Sequence, residues 1–478
     1  MAANPIAPEL PPTLQWLNVQ QAPALDKLRG RVVLLHFFNA ANVNSLHMLQ
    51  ELRAVEAKHH DGLSVIGIHT PKYDHERQAA NVLKAVNRLY IRHPVANDAD
   101  WVAWRQFGIQ AWPSVAVLDA EGRVAGIVAG EGHRPQLESL VSSLLDDAAN
   151  RDIRFYEPMQ PVSRPEPRTA LNFPSKLLLT ESALFVADSG HNRILECNHD
   201  GRVIRQIGTG TTGYLDGKFG DSAFNDPQGM ALIKDMLYVA DRGNHCVRRV
   251  HMITGEVDTV AGTGVHGHPA TQEYNEPRQV ALNSPWDLVA AGEKLLIAMA
   301  GQHQIWALDL NRKRLNLYSG TGKIGRDDGD GMFATFAKPT GLAYVNQVLY
   351  VVDADGSAIR AVRSDGRVQT LVGAGLYEFG DVDGAPAQVR LQYPMDIAAD
   401  ANGQILWLVD TYNDKLKAGV VARWRREVDQ SGLQVPPAVR HRQSARQAVR
   451  GQYGCPRSRA HRHQQRSGDA FADRRVNR

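Results

Sequence analysis

Several histidines near the start of this 478-residue chain could bind a metal ion or act in acid-base catalysis. Imidazole titrates near neutral pH and is a common metal ligand. Four of them lie close together in sequence: His36, His47, His59 and His60. No spacing among them matches a closed metal site, and His47 falls in an amphipathic helical pattern. We therefore predict ordinary surface or core histidines, with no metal and no cofactor.

The cysteines and the N-terminal sequence bear on the compartment. Cys197, Cys246 and Cys455 are odd in number and far apart, which argues against a disulfide framework and favours buried thiols in a reducing environment. Residues 1–16 lack a basic segment followed by an apolar one, and no apolar stretch reaches the ~18 residues of a membrane span. We expect a cytoplasmic protein without membrane contact.

Residues 1–150 alternate apolar runs with amphipathic ones. The pattern predicts strands over 32–38 and 63–70 and helices over 43–60 and 74–90. A short extended piece over 92–98, a helix over 99–107, a hairpin turning at Glu121-Gly122 and a helix over 134–148 follow. This order predicts an α/β domain with a mixed sheet.

A proline-rich segment separates this domain from the rest of the chain. Residues 157–168, EPMQPVSRPEPR, hold four prolines and show no hydrophobic periodicity. Such a segment is typical of an extended linker. We predict a first domain over 1–150 and a linker over 151–172.

After the linker the sequence repeats one pattern. An apolar strand ends at an anchor residue five times, with spacings of 53, 59, 53 and 57 residues, at Asp188, Asp241, Ala300, Asp353 and Asp410. A period of ~40–60 residues with about four short strands is typical of a β-propeller blade. We therefore predict an all-β propeller over 173–417, with five recognisable blades of an expected six and the last one incomplete.

The anchor aspartates need no catalytic role. A carboxylate at the end of a strand accepts hydrogen bonds from backbone N–H groups, and we expect the donors in the turn that follows it. Asp287 and Asp396 lie elsewhere, near inner strands, where Gly229 and Gly341 stand in two other blades. Carboxylates at a propeller axis suit a divalent metal. No matching Glu, Asn or His accompanies them, so we favour local hydrogen bonding.

Taken together, the two halves resemble the NHL-repeat-containing protein 2-like family, in which a thioredoxin-like domain precedes an NHL-type propeller. The repeats VADSGHNRI and VADRGNHCV and the segments DGKFGDSAFNDPQG and DGDGMFATFAKPTG carry the resemblance in the propeller. LRGRVVLLHFFN and IRHPVANDADWVAWRQFGIQAWPSVAVLD carry it in the first domain. It covers about residues 14–417.

The resemblance implies a redox site that this chain lacks. Similar proteins read Cys-Cys-x-Asn-Cys where this chain has Ala41, Asn42, Val43, Asn44 and Ser45. Thiol exchange needs a thiolate at a helix N-terminus and a second cysteine to resolve the mixed disulfide. Neither a carboxamide nor a serine hydroxyl exchanges electrons with a disulfide. We predict a redox-inactive domain, with Asn42 or Ser45 capping the helix.

The resemblance also implies a peptide-binding groove. Pro113 matches the proline that is cis in thioredoxin-like folds, beside the cysteine positions, and that presents a backbone edge to a bound peptide. Together with Trp112 it marks the candidate groove. The alternative interpretation is that Pro113 simply begins a strand.

The C-terminal segment breaks the repeat pattern. Residues 419–478 hold 14 Arg, no Lys and 4 acidic residues, so the formal net charge of +3 combines a basic tail with 40 basic and 47 acidic residues elsewhere. Without Lys, repeats or a series of aromatic side chains, the tail does not favour nucleic-acid binding. We favour a frameshift near codon 418 over a genuine basic arm, so that 418–478 is an irregular tail.

These features favour a non-enzymatic interaction protein. Its partner would be a protein or a small ligand on the propeller face, with neither nucleic acid nor membrane involved. Two alternatives stay open: a thiol-disulfide oxidoreductase relative that acts with a partner's thiols, and a metal-dependent propeller hydrolase or lyase. The sequence names neither the ligand nor the oligomeric state.

Overall fold

The computed structural model describes residues 4–157 and 169–420. The frameshift hypothesis falls mainly on residues beyond 420, outside the described part. The last described strand runs through Val420, three residues past the predicted end of the propeller at Lys417. Among the described residues, no helix combines the length and apolar character needed to cross a bilayer.

The first domain is a six-stranded mixed sheet in the order β1-β4-β3-β2-β5-β6. β2 pairs in parallel with β3, and β3 with β4, while the other pairings are antiparallel. The strands are β1 (Gln15–Trp16), β2 (Val32–Phe38), β3 (Leu63–His69), β4 (Val95–Asn97), β5 (Ser114–Leu118) and β6 (Val124–Ala129). The helices are α1 (Val43–Lys58), α2 (Ala79–Arg88), α3 (Val102–Gln106) and α4 (Arg134–Asn150).

Hydrophobic layers on both faces of this sheet explain why β2 and β3 are buried throughout and largely apolar. Leu52 of α1 and Val141 of α4 pack on one face, and Ala103 of α3 and Phe107 pack on the other. The elements predicted for 32–150 are confirmed in type and order, with one difference. The helix predicted over 74–90 is a 3-10 turn over Asp74–Arg77 followed by α2.

The described part of the second domain consists of five propeller blades, the number that the repeat spacing made recognisable, and the expected sixth blade would fall outside the described residues. Its sheets have the sequential antiparallel order of propeller blades, with β11 added at the outer edge of the second and only three strands in the fifth. The inner strands are β7 (Lys176–Leu179), β12 (Pro227–Ile233), β16 (Pro285–Ala291), β20 (Pro339–Val345) and β24 (Asp396–Ala399). The second strands are β8 (Leu184–Asp188), β13 (Met236–Asp241), β17 (Lys294–Met299), β21 (Val348–Asp353) and β25 (Ile405–Asp410). The outer strands are β9 (Arg193–Cys197), β10 (Val203–Ile207), β11 (Gly217–Lys218), β14 (Cys246–His251), β15 (Glu256–Ala261), β18 (Gln304–Asp309), β19 (Arg314–Ser319), β22 (Ala358–Val362), β23 (Val368–Val372) and β26 (Lys415–Val420).

The four anchor aspartates are buried and accept hydrogen bonds. The prediction that their backbone donors lie in the turn after the strand was wrong. Asn244 and Asn413, in the turns that follow two of the anchors, donate through their side chains. The backbone donors lie upstream, just before each inner strand, because antiparallel pairing places the end of the second strand beside the start of the first. The N–H···Oδ1 distances are 2.7 Å for Asn172 to Asp188, 2.8 Å for Asn225 to Asp241, 2.9 Å for Ala337 to Asp353 and 2.8 Å for Gln392 to Asp410.

The thioredoxin-like domain packs on one end of the propeller, here called the docking face. The docking face consists of the segments that precede inner strands and those that follow second strands. Each blade contributes to it: Gly190 of blade one, His245 of blade two, Ser284 of blade three, Lys338 of blade four and Tyr393 of blade five. The two domains therefore share a buried surface.

Candidate functional site

The positions that would hold cysteines lie at the start of α1, and one of them, Asn42, caps the helix. Asn42 is the N-cap residue, and its Oδ1 accepts a hydrogen bond from Ser45 N at 2.9 Å. Ser45 Oγ accepts from Asn39 N at 3.3 Å, and Ser45 is 1% exposed. The predicted cap is confirmed for Asn42. Asn42 Oδ1 thus satisfies one of the backbone N–H groups that a helix start leaves unpaired, whereas Ser45 Oγ binds the segment before the helix.

Removing this cap has a predictable cost. Asn42→Ala is expected to lower the free energy of unfolding by about 1 kcal/mol, since the Ser45 N–H loses its acceptor. Urea unfolding checks the value, and Asn42→Asp, which keeps an acceptor oxygen, is the matched control. A loss in Asn42→Asp equal to that in Asn42→Ala would contradict the capping role.

The docking face covers the residue just before this helix. The carbonyl oxygen of Ala41 accepts hydrogen bonds from Lys338 Nζ at 2.5 Å and from Tyr393 Oη at 3.0 Å. Ala41 is 1% exposed and packs with Tyr73, Ala354 and Tyr393. The edge from which a thioredoxin-type enzyme would present its thiols is therefore buried inside this protein.

Lys338 is the unusual group at this contact. Its side chain is fully buried, its Nζ lies 4.5 Å from the centroid of the Trp286 ring, and it donates to Tyr393 Oη at 2.7 Å. Burial lowers the pKa of Lys338 to about 7, although the negative charge of Asp355 acts in the opposite direction.

A polar and aromatic group beside Ala41 extends the contact between the domains. Glu76, 3% exposed, accepts hydrogen bonds from Asn39 Nδ2 at 2.8 Å and from Tyr412 Oη of the propeller at 3.2 Å. His75 stacks on Tyr412 with ring centroids 4.5 Å apart. The surface thus combines charge, hydrogen bonds and ring packing.

Trp112, one of the two candidate groove residues, belongs to an aromatic cluster of the first domain. The peptide bond between Trp112 and Pro113 is cis, as the resemblance implied. The Trp112 ring packs against Trp101 and Trp104 with centroids 5.2 and 5.1 Å apart. Trp112 Nε1 is buried and has no hydrogen-bond partner among the described residues. Peptide binding at this position stays a prediction.

The two carboxylates predicted near the propeller axis do come together, around a lysine that the sequence analysis missed. Lys176, from the inner strand of blade one, places Nζ 3.1 Å from Asp287 Oδ2 and 2.5 Å from Asp396 Oδ1. Both carboxylates also accept backbone hydrogen bonds, Asp287 from Leu342 N and Asp396 from Ile397 N. Burial raises the pKa of Asp287 to about 6, while Lys176 opposes that shift. The predicted local hydrogen bonding is present at both residues.

One of the four histidines noted in the sequence lies at the junction of the two domains. His47, two residues beyond Ser45 on α1, has Nδ1 2.5 Å from Glu131 Oε2 and Nε2 2.7 Å from Ser284 Oγ. Glu131 Oε1 lies 3.3 Å from His266 Nε2 of the propeller. Burial raises the pKa of Glu131, but the contacts with His266 and His47 outweigh it and lower that pKa to about 2. His47, Glu131 and His266 are hereafter the junction cluster.

His36 and the two cysteines of the described residues have environments that disfavour reactivity, whereas His59 is half-buried and His60 is exposed. His36 is fully buried, and burial lowers its pKa to about 3. Burial also raises the thiol pKa values of Cys197 and Cys246, so neither is a ready nucleophile. Both are free thiols, whereas Cys455 lies outside the described residues.

Comparisons with known proteins agree with this architecture of a thioredoxin-like domain fused to a propeller. A family model described as Thioredoxin-like matches residues 30–124. NHL repeat-containing protein 2 of Homo sapiens is 35% identical over 453 residues, covering 86% of this chain and 61% of that protein. Protein SUPPRESSOR OF QUENCHING 1, chloroplastic, of Arabidopsis thaliana is 37% identical over 433 residues, covering 86% of this chain and 41% of that protein.

The chain is a homologue of NHL repeat-containing protein 2, so the predicted resemblance is confirmed. A shorter match, 36% identity over 145 residues, relates 30% of the chain to 21% of Protein DipZ of Mycobacterium tuberculosis. The chain spans less than two thirds of the length of each of these relatives.

Proposed function

We propose that this protein is a non-enzymatic interaction protein in which a redox-inactive thioredoxin-like domain and an NHL propeller form one binding platform. The proposal rests on residues 41–45, the positions where similar proteins carry their redox cysteines. These five positions hold no sulfur, and the Ala41 carbonyl is bound by Lys338 and Tyr393 of the propeller. A substrate disulfide has neither a thiolate to react with nor an open surface to approach.

The propeller supports binding more than metal-dependent hydrolysis. The ammonium group of Lys176 already lies between Asp287 and Asp396, where such an enzyme would hold its cation. Because one end of the propeller is covered by the thioredoxin-like domain, we place the partner, a protein or a small ligand, on the opposite face. We propose a cytoplasmic location, in accord with the free thiols.

The test is reduction of insulin by dithiothreitol, followed as turbidity. The purified full chain is expected to give the rate of dithiothreitol alone, and an active thioredoxin added to the same sample should restore rapid precipitation. A rate above the protein-free control would refute the redox-inactive domain. It would favour the alternative of an oxidoreductase that works with other thiols.

The tail hypothesis has its own test, which is sequencing of the coding DNA across Lys415 to Gly419. A missing or extra base, with a sixth blade encoded in the corrected frame, would establish the frameshift. An intact frame would make the Arg-rich tail a genuine part of the protein.

A further inference from the structure

The junction cluster brings together three potential metal ligands from distant parts of the chain. His47 comes from α1, Glu131 follows β6, and His266 belongs to the segment between β15 and β16 of the propeller. One ligand atom from each lies within 4.8 Å of the other two. Ligand atoms around a tetrahedral ion with bonds of about 2.0–2.1 Å are about 3.3 Å apart, so the cluster needs only a small adjustment to enclose one ion.

The neighbours of His47 orient its imidazole as a metal ligand requires, whereas the amide that contacts His266 would have to give way to the ion. His47 Nε2 lies 2.7 Å from Ser284 Oγ, so this nitrogen can donate to the hydroxyl while Nδ1 keeps its lone pair for an ion. Asn283 Nδ2 lies 2.9 Å from His266 Nε2 and also 3.1 Å from the Gly267 carbonyl oxygen. An ion on His266 would replace the first of these amide contacts and leave the second intact.

Exposure of the cluster suits exchange of an ion with solvent. The side chain of His47 is 5% exposed, whereas those of Glu131 and His266 are 19% and 25% exposed. The buried side would fix the geometry, and the open side would leave room for water as a further ligand. The positive charge of Arg242 acts on His47, but Arg242 is paired with Asp226, which offsets its repulsion of a bound ion.

We propose that His47, Glu131 and His266 form a binding site for one divalent metal ion of the zinc class, held between the two domains. Two imidazoles and one carboxylate match the ligand preference of zinc and similar first-row ions. In the metal-bound form the neutral His47 ring would carry its proton on Nε2, and this N–H would donate a hydrogen bond to Ser284 Oγ. Because the ligands come from both domains, the ion would hold the thioredoxin-like domain on the docking face.

The experiment is a titration of the chelator-treated full chain, prepared without a histidine tag, with Co²⁺. Visible d–d absorption reports coordination, elemental analysis gives stoichiometry, and Zn²⁺ serves as the competitor. We expect about one Co²⁺ per chain, displaced by Zn²⁺. The variants His266→Gln and Glu131→Gln should each bind Co²⁺ more than about tenfold more weakly.

His268→Gln is the matched control. Its ring lies 5.7 Å from that of His266, and the residue is exposed and outside the junction cluster, so its binding should equal that of the wild type. The histidines beyond residue 420 are present in every variant and contribute the same background. The site would be disproved by wild-type protein that takes up no stoichiometric Co²⁺, or by His266→Gln binding as tightly as wild type.

A second measurement guards against misfolded variants. Zn²⁺ is expected to raise the thermal unfolding midpoint of the wild type and of His268→Gln, because it binds the folded chain in preference to the unfolded one. Circular dichroism identifies any variant that fails to fold. A wild-type midpoint that does not respond to saturating Zn²⁺ would count against the proposal even if both ligand variants were unusable.

Discussion

Replacing Arg248 by alanine is expected to lower the free energy of unfolding by about 3–5 kcal/mol. Arg248 is fully buried on β14, where its guanidinium lies 3.0 Å from Asp241 and 2.9 Å from Asp216. It also donates to the carbonyl oxygens of Ala223 and Leu215 at 2.9 and 2.7 Å. Without it, the buried Asp241 carboxylate loses its cation and two backbone carbonyls lose a donor.

The next residue on the strand provides the control. Arg249 pairs with Asp258 at 2.8 Å, but the two side chains are 40% and 37% exposed. Arg249→Ala should therefore cost only about 0–1 kcal/mol. Urea unfolding followed by circular dichroism measures both variants, and similar losses for the two would show that burial does not set the strength of these pairs.

The pH dependence of stability is the second large effect, and it depends on Lys338. Burial lowers the pKa of this lysine from 10.5 to about 7 in the folded protein. Between these pH values the unfolded chain binds a proton that the folded chain has released, so the free energy of unfolding rises with pH. The slope should approach about 1.4 kcal/mol per pH unit in the middle of this window.

Lys338→Met isolates this contribution. The variant keeps an unbranched side chain against Trp286 and Tyr393 but has no titrating group, so it should lack the Lys338 part of the slope. Above about pH 9 the raised thiol pKa of Cys246 makes the free energy of unfolding fall with pH. The wild type and the variant share this contribution, so it cancels when the slope of one is subtracted from that of the other. Equal slopes from pH 7 to 9 in urea unfolding would mean that Lys338 stays protonated in the folded protein.

Regular patterns made the fold predictable. The alternation of apolar and amphipathic runs located β2, α1 and β3 within two residues, and the repeated anchor spacing located the blades. The absence of the redox cysteines could be recognised because the surrounding motif identifies the positions that they would occupy. In these cases the information lies in neighbouring residues or in a fixed period.

The contacts between distant segments were not predictable from one sequence. Lys176 reaches Asp396 across 220 residues and Lys338 reaches Ala41 across 297, and no local pattern encodes such pairs. The junction cluster was missed for the same reason, since the histidines were compared only with neighbours in sequence. A lysine at the start of an apolar inner strand, as at Lys176, was the one available signal, because a charge there needs a partner.

The buried carbonyl of Ala41 limits which side chains the segment before α1 can accept. Any side chain at position 41 must fit the close-packed surface of the propeller, because Ala41 packs against Ala354 and Tyr393. A cysteine introduced at position 41 would lie against Tyr393 and Lys338 of the propeller. A reactive side chain placed at position 41 would therefore stay covered by the propeller unless the two domains separated.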